Sequence, residues 1–139
     1  MYVQFLDLID HQILDQKEVV SLFKNIQPQQ LEYSNTGYFM AELAEQGNII
    51  LLFWWLDTTR LVFRLDRNIP NVQQGASYLS WNGGPNTPQI DVGDDTYFPE
   101  NAFISVQQSL LLIDAFFNDP TTLPTLPTLP TVLTWQNVE

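Results

Sequence analysis

The sequence predicts an α+β fold: an antiparallel β-sheet meander of five or six strands, with an N-terminal and a C-terminal helix packed on it. Three observations predict it. Two capping-box signatures, Asp15-Gln-Lys-Glu18 and Ser105-Val-Gln-Gln108, each open a stretch with apolar residues at helical spacing. Between them, short runs of β-formers alternate with Gly- and Asn-containing turn signals. The 139 residues, 45% hydrophobic and 13% aromatic, suffice to bury one domain core.

Tyr2–Leu8 alternates loosely and reads as the first strand. After the first capping box, Val19, Leu22, Phe23 and Ile26 fall on one helical stripe and Pro28 stops it, which places a helix from Gln16 to about Asn25. Gln30–Ser34 then leads to Asn35-Thr-Gly37, a turn signal, and Tyr38–Glu45 alternates as the next strand. Gln46-Gly-Asn48 turns the chain again. Asn48–Leu56 lacks alternation, the pattern of a strand buried on both faces, and is the expected central strand. Within it, Trp54 and Trp55 must point to opposite faces, one under the helices and the other either core or an exposed anchor.

Asp57-Thr-Thr59 turns into Arg60–Asp66, where Arg60, Val62, Arg64 and Asp66 alternate with Leu61, Phe63 and Leu65, one wet face against one dry. Ala76–Trp81 is a further strand. Asn82-Gly-Gly-Pro85 suits the positive φ angles of a tight hairpin turn, from which Gln89–Val92 is expected to return. The second helix runs from Ser105 to about Asn118. Val106, Leu110, Ile113 and Phe117 form its stripe, and Leu111, Leu112 and Phe116 widen it past half the circumference. Such an arc means deep burial or a second face in an interface, the latter compatible with a homodimer.

Residues 1–118 are thus expected to form one domain, and residues 119–139 a proline-rich spacer with a C-terminal segment packing back on it. The spacer holds Leu-Pro-Thr three times between Leu123 and Thr131, a period that favours polyproline II. It reads as a stiff link returning Val132, Leu133 and Trp135 to the body, or as a ligand for a proline-recognition groove.

Sixteen acidic against five basic residues give a net charge of −11. That field repels nucleic acid and anionic membrane and speeds encounter with a basic partner. The absence of cysteine removes disulfides, thiolate metal sites and cysteine nucleophiles. Met1-Tyr-Val-Gln-Phe-Leu-Asp7 lacks the basic start of a signal peptide, and the longest apolar run, Ile49–Leu56, is short of the ~20 residues that span a bilayer. A cytoplasmic location is expected.

The catalytic inventory is thin. His11, the single histidine, reads as an exposed or hydrogen-bonded loop residue, and no phosphate-binding glycine loop occurs. Asp91, Asp94, Asp95 and Glu100 gather in one stretch. They suit a solvated loop, a contact with a partner's arginines and lysines, or a hard-cation or acid/base site, although the spacing does not match an EF-hand loop. The expectation is a non-enzyme without cofactor or metal, with Asp91, Asp94, Asp95 and Glu100, joined by Trp81 and Tyr97, as partner-binding residues.

The run Tyr97-Phe-Pro-Glu-Asn-Ala-Phe-Ile-Ser-Val-Gln-Gln108, a helix ending in Asp114-Ala-Phe-Phe117, a proline-containing gap and Leu133-Thr-Trp135 together resemble the first-numbered immunity protein family of bacterial polymorphic toxin systems. The likeness runs from about Val19 to Trp135 and is clearest from Phe98 onward; the triple Leu-Pro-Thr makes this gap longer than the family's pattern. What the resemblance implies is a protein that plugs or covers a cognate toxin, nucleic-acid deaminases and nuclease-like effectors being among the family's targets. It supplies no catalytic motif. The alternative from another class is a non-enzymatic adaptor or regulatory module that binds a protein or peptide.

Overall fold

The computed structural model describes residues 1–43, 47–68, 77–85, 88–122 and 134–137. It shows an α+β fold, an antiparallel sheet with both helices on one face. The strands are β1 (Tyr2–Phe5), β2 (Ile9–Ile13), β3 (Thr36–Glu42), β4 (Asn48–Trp55), β5 (Arg60–Asn68), β6 (Ser77–Trp81), β7 (Gln89–Gly93), β8 (Thr96–Pro99), β9 (Ile104–Ser105) and β10 (Thr134–Asn137); the helices are α1 (Gln16–Lys24) and α2 (Val106–Asn118). The main sheet runs β10-β6-β5-β4-β3-β1-β2, with β9 pairing β5, while β7 and β8 form a separate hairpin. The Leu-Pro-Thr repeat, Val132 and Leu133 lie outside the described residues, as do Glu45, Gln46 and Ala76.

Both capping boxes form. Asp15 accepts from the Glu18 amide at 2.8 Å while the Glu18 carboxylate accepts from the Asp15 amide at 3.2 Å, and Ser105 and Gln108 do the same. Reciprocal caps satisfy amides that a helix start leaves orphaned, which is why these two sites open helices. Phe23 of α1 and Phe116 of α2 then enter one aromatic core with Phe5, Phe39, Phe53, Trp55 and Phe63. The phenyl ring of Phe23 lies 5.1 Å from that of Phe53 and 5.2 Å from the Trp55 indole. Those separations are in the range where tilted aromatic pairs attract. In α2 the buried face is Ser109, Leu112, Ile113 and Phe116, and Leu111 remains exposed.

Several elements differ from the sequence reading. The expected first strand, Tyr2–Leu8, reverses at Leu6, whose φ is +53°, and returns as β2. Gln30–Ser34 is not extended: a 3-10 turn covers Pro28–Leu31, as Pro28 fits the first turn of a helix. Asn35-Thr-Gly37 is no turn, because β3 already begins at Thr36. Gly37 is required there by closeness: a Cβ would overlap the Gln4 carbonyl oxygen and the Phe53 ring. Lastly, Gln89–Val92 does not return from Asn82-Gly-Gly-Pro85. β7 pairs β8, so the hairpin closes through Asp94-Asp95 instead.

β4 sits in the middle of the sheet, as its apolar run predicts, yet its faces are unequal. Ile49, Leu51, Phe53 and Trp55 are buried under the helices, while Asn48, Ile50, Leu52 and Trp54 are half-buried on the outer face. A second, smaller core covers part of that outer face: Val62, Leu79, Val92, Phe98, Ala102 and Phe103, with Trp54, Leu56 and Ile90 beside them. Ser80 bridges the layers from complete burial, accepting from the Phe63 amide at 3.0 Å and donating to the Ala102 carbonyl at 2.6 Å.

Candidate functional site

The β7–β8 hairpin has one face in the second core and one face in solvent. Phe98 packs 4.9 Å from the Trp54 ring, and Val92 is buried near it. Asn35 fixes the same end, its Nδ2 donating to the Trp55 carbonyl at 2.8 Å and to the Val92 carbonyl at 2.6 Å. Across the ladder Asp91 stands opposite Tyr97, and both are exposed. The chain reverses through Asp94 and Asp95, with φ of +51° and +55°. Two consecutive left-handed residues define a tight turn whose twist matches antiparallel strands, and aspartate tolerates that conformation better than most residues.

Four of the six candidate residues therefore come together on one hairpin. Asp91, Asp94 and Asp95 present exposed carboxylates, and Tyr97, 54% exposed, offers an aromatic ring among them. Glu100 lies just past β8, exposed, with its amide donating to the Pro88 carbonyl at 2.9 Å. Trp81 is half-buried at the end of β6; its indole N–H donates to the Gly84 carbonyl at 3.1 Å, an acceptor shared with the Asn101 side chain. Trp81 thus secures the loop behind the hairpin.

Beside the hairpin tip is an open, mostly polar cleft of 330 Å³, lined by residues 31–35 and by Trp55, Leu56, Val92, Gly93 and Asp94. Tyr33, 83% exposed, stands on its wall with Glu32 next to it. Sequence reasoning missed Tyr33 because Gln30–Ser34 reads only as the approach to a turn. The only available signal was an aromatic beside the Pro28 helix start. Asn35, which pins the tip, was read as part of a turn.

A second region was also missed. On the outer sheet face, Tyr2, Tyr38, Met40, Ile50 and Leu52 join neither hydrophobic cluster among the described residues. His11 borders them, its ring stacked 4.6 Å from Tyr2 and its Nδ1 2.6 Å from the Tyr38 hydroxyl. His11 is exposed as expected but sits in β2, at φ +48° where the β1–β2 ladder bulges, and not in a loop. Arg64 and Asp66 close the other side of this face as an ion pair at 2.9 Å.

Among the described residues no group of three or more His, Cys, Asp or Glu side chains is placed to hold a metal ion, and no helix is long and apolar enough to cross a membrane. Comparison of the chain with protein-family models and with curated protein sequences finds no match.

Proposed function

We propose that this chain is an immunity-type inhibitor that binds a cognate basic protein toxin stoichiometrically, through the acidic hairpin Asp91–Tyr97, and has no catalysis of its own. The observation that carries the reading is the mounting of the acids. Asp94 and Asp95 occupy the two left-handed positions of a tight turn whose strands are anchored by Val92 and Phe98. A turn on a docked hairpin sets the backbone that carries these carboxylates before binding, so less backbone freedom is lost in the complex. The net charge of −11 adds steering towards a basic surface, such as the groove of a toxin that acts on nucleic acid.

Exposed carboxylates suit charge presentation better than acid–base chemistry, which favours a desolvated carboxyl. The likeness around Tyr97–Gln108 to immunity proteins points the same way. The reading expects a neighbouring upstream gene for a large secreted protein with a variable C-terminal domain, and the test is co-expression of this chain with that domain. Growth together with a purified one-to-one complex is the expected result. Cell death with no complex formed defeats the proposal.

A further inference from the structure

We propose that Asn82-Gly83 is a self-modification site: the Asn82 amide converts to aspartate or isoaspartate in water, and the conversion unlatches the base of the β7–β8 hairpin from the end of β6. This inference does not depend on the inhibitor reading. It starts from Asn82-Gly-Gly-Pro85, which the β7–β8 hairpin does not use as its turn and which holds the one Asn-Gly step in the chain. The asparagine serves as a latch instead. Its Nδ2 donates to the Glu100 carbonyl at 3.2 Å and to the Phe103 carbonyl at 3.1 Å, and its backbone amide donates to the Asn101 carbonyl at 2.7 Å. One residue thus ties the end of β6 to the segment between β8 and α2. In that segment the Glu100 amide also holds the Pro88 carbonyl, just ahead of β7.

The reaction begins with ring closure. A bond forms between the Gly83 nitrogen and Asn82 Cγ, the Cγ–Nδ2 bond breaks, and ammonia leaves with the Gly83 amide proton. Water then opens the succinimide at either carbonyl, giving aspartate or, with the chain rerouted through Cγ, isoaspartate. Water is the sole co-reactant. Gly83 suits the attacking position: it is exposed, a Cβ there would meet nothing within 4 Å, and its amide donates to nothing among the described residues. A side chain would crowd the attacking nitrogen, and glycine leaves it open. The Gly84 amide donates to Asn82 Oδ1 at 2.7 Å, where negative charge builds as the ring closes. A donor already aimed at a developing oxyanion lowers the barrier.

The latch also sets the pace. Two carbonyls hold Nδ2, so the side chain must leave them before Cγ can turn onto the Gly83 nitrogen. Conversion therefore proceeds through local opening of residues 100–103. The product cannot close the latch again. A carboxylate has no N–H to donate, and its charge would face the Glu100 and Phe103 carbonyl oxygens. Each event is one-way.

Peptide mapping by mass spectrometry of the full chain, aged in mildly alkaline buffer, tests the chemistry, with the same chain unfolded in urea as the reference. Asn82 should convert in the folded protein ahead of Asn25, Asn35 and Asn101, with isoaspartate among the products. Its rate should be about tenfold or more below that of the unfolded reference, because opening must come first. Asn82→Gln should keep its amide, since the longer side chain closes a larger ring more slowly. A folded chain in which Asn82 is intact when another of these asparagines has converted overturns the proposal, as does N82Q converting as fast as wild type. Hydrogen exchange of Asn82→Asp, and of the aged fraction separated by ion exchange, tests the unlatching. The Glu100 and Phe103 amides should exchange about tenfold faster than in wild type, through the loss of two hydrogen bonds, while the β4 amides stay protected. Wild-type exchange at Glu100 and Phe103 in the aged fraction overturns the proposal too.

Discussion

Trp54 lies 4.9 Å from Phe98, ring to ring, and this contact docks the acidic hairpin on the outer face of the sheet. Two residues back along the same face, Leu52 joins neither core among the described residues. The outer face of β4 thus carries the border of the second core.

Truncating Phe98 to alanine should release that border. Phe98 is buried in the second core with Val62 and Val92, and deleting a phenyl ring from such a site costs about 3 kcal/mol. Denaturant unfolding checks the loss. Hydrogen exchange should also show the β7–β8 amides opening well before those of β4, since the aromatic core under the helices is untouched.

Gly37→Ala should be at least as damaging, although it adds a single methyl group. The new Cβ overlaps the Gln4 carbonyl oxygen, which is backbone of the paired strand β1, and the ring of Phe53 in the core. Neither neighbour moves freely, so about 3 kcal/mol or more of destabilisation is expected, near the top of the overpacking range. A thermal melt within a degree or two of wild type contradicts that account.

The hairpin tip trades stability for charge. Glycine adopts positive φ without the steric penalty that burdens an L-residue, so Asp95→Gly should raise stability by about 0.5–1 kcal/mol. In the inhibitor reading the same change should slow association with the toxin. Stability and association rate moving in opposite directions is the signature to look for.

Asp57 gives the fold a pH dependence of defined sign. Partial burial pushes its carboxyl up, but the Thr59 hydroxyl and amide and then Arg60 outweigh this and hold it below its ordinary value of 3.8. A carboxyl lowered in the folded state stabilises the fold above its unfolded pKa, and that contribution disappears as pH falls through the folded value. Solvent reaches about half of the side chain and screens the effect, so Asp57→Asn should cost only about 0.5 kcal/mol at pH 7. Wild type and variant should converge in chemical denaturation once pH has fallen below the folded value of Asp57, where both side chains are neutral.

Local chemistry made part of this fold legible. The two capping boxes predict α1 and α2 to within a residue, since Asp15, Glu18, Ser105 and Gln108 act on their own helix ends. The apolar run of β4 gives its central place. Pairing between distant segments was harder to read. Asn82-Gly-Gly-Pro85 carries the stronger hairpin chemistry, yet its amide and carbonyl groups bond to residues 100–103, while the glycine-free Asp94-Asp95 closes the hairpin. Gly37 looks like a turn residue until the Phe53 ring is placed against it. The site was half legible: Asp91, Asp94, Asp95 and Tyr97 share one hairpin, whereas the docking of that hairpin through Phe98 on Trp54 joins distant segments, which no single stretch of sequence encodes.

The most direct test of the proposed function is the association rate with the cognate toxin domain that the reading expects, measured by stopped flow for wild type and for the combined Asp91→Asn, Asp94→Asn and Asp95→Asn variant. Across about 20–500 mM salt, wild type should slow steeply while the variant starts lower and changes little, because the steering charge has been removed. A variant that associates as fast as wild type in low salt contradicts the claim that this hairpin meets the partner.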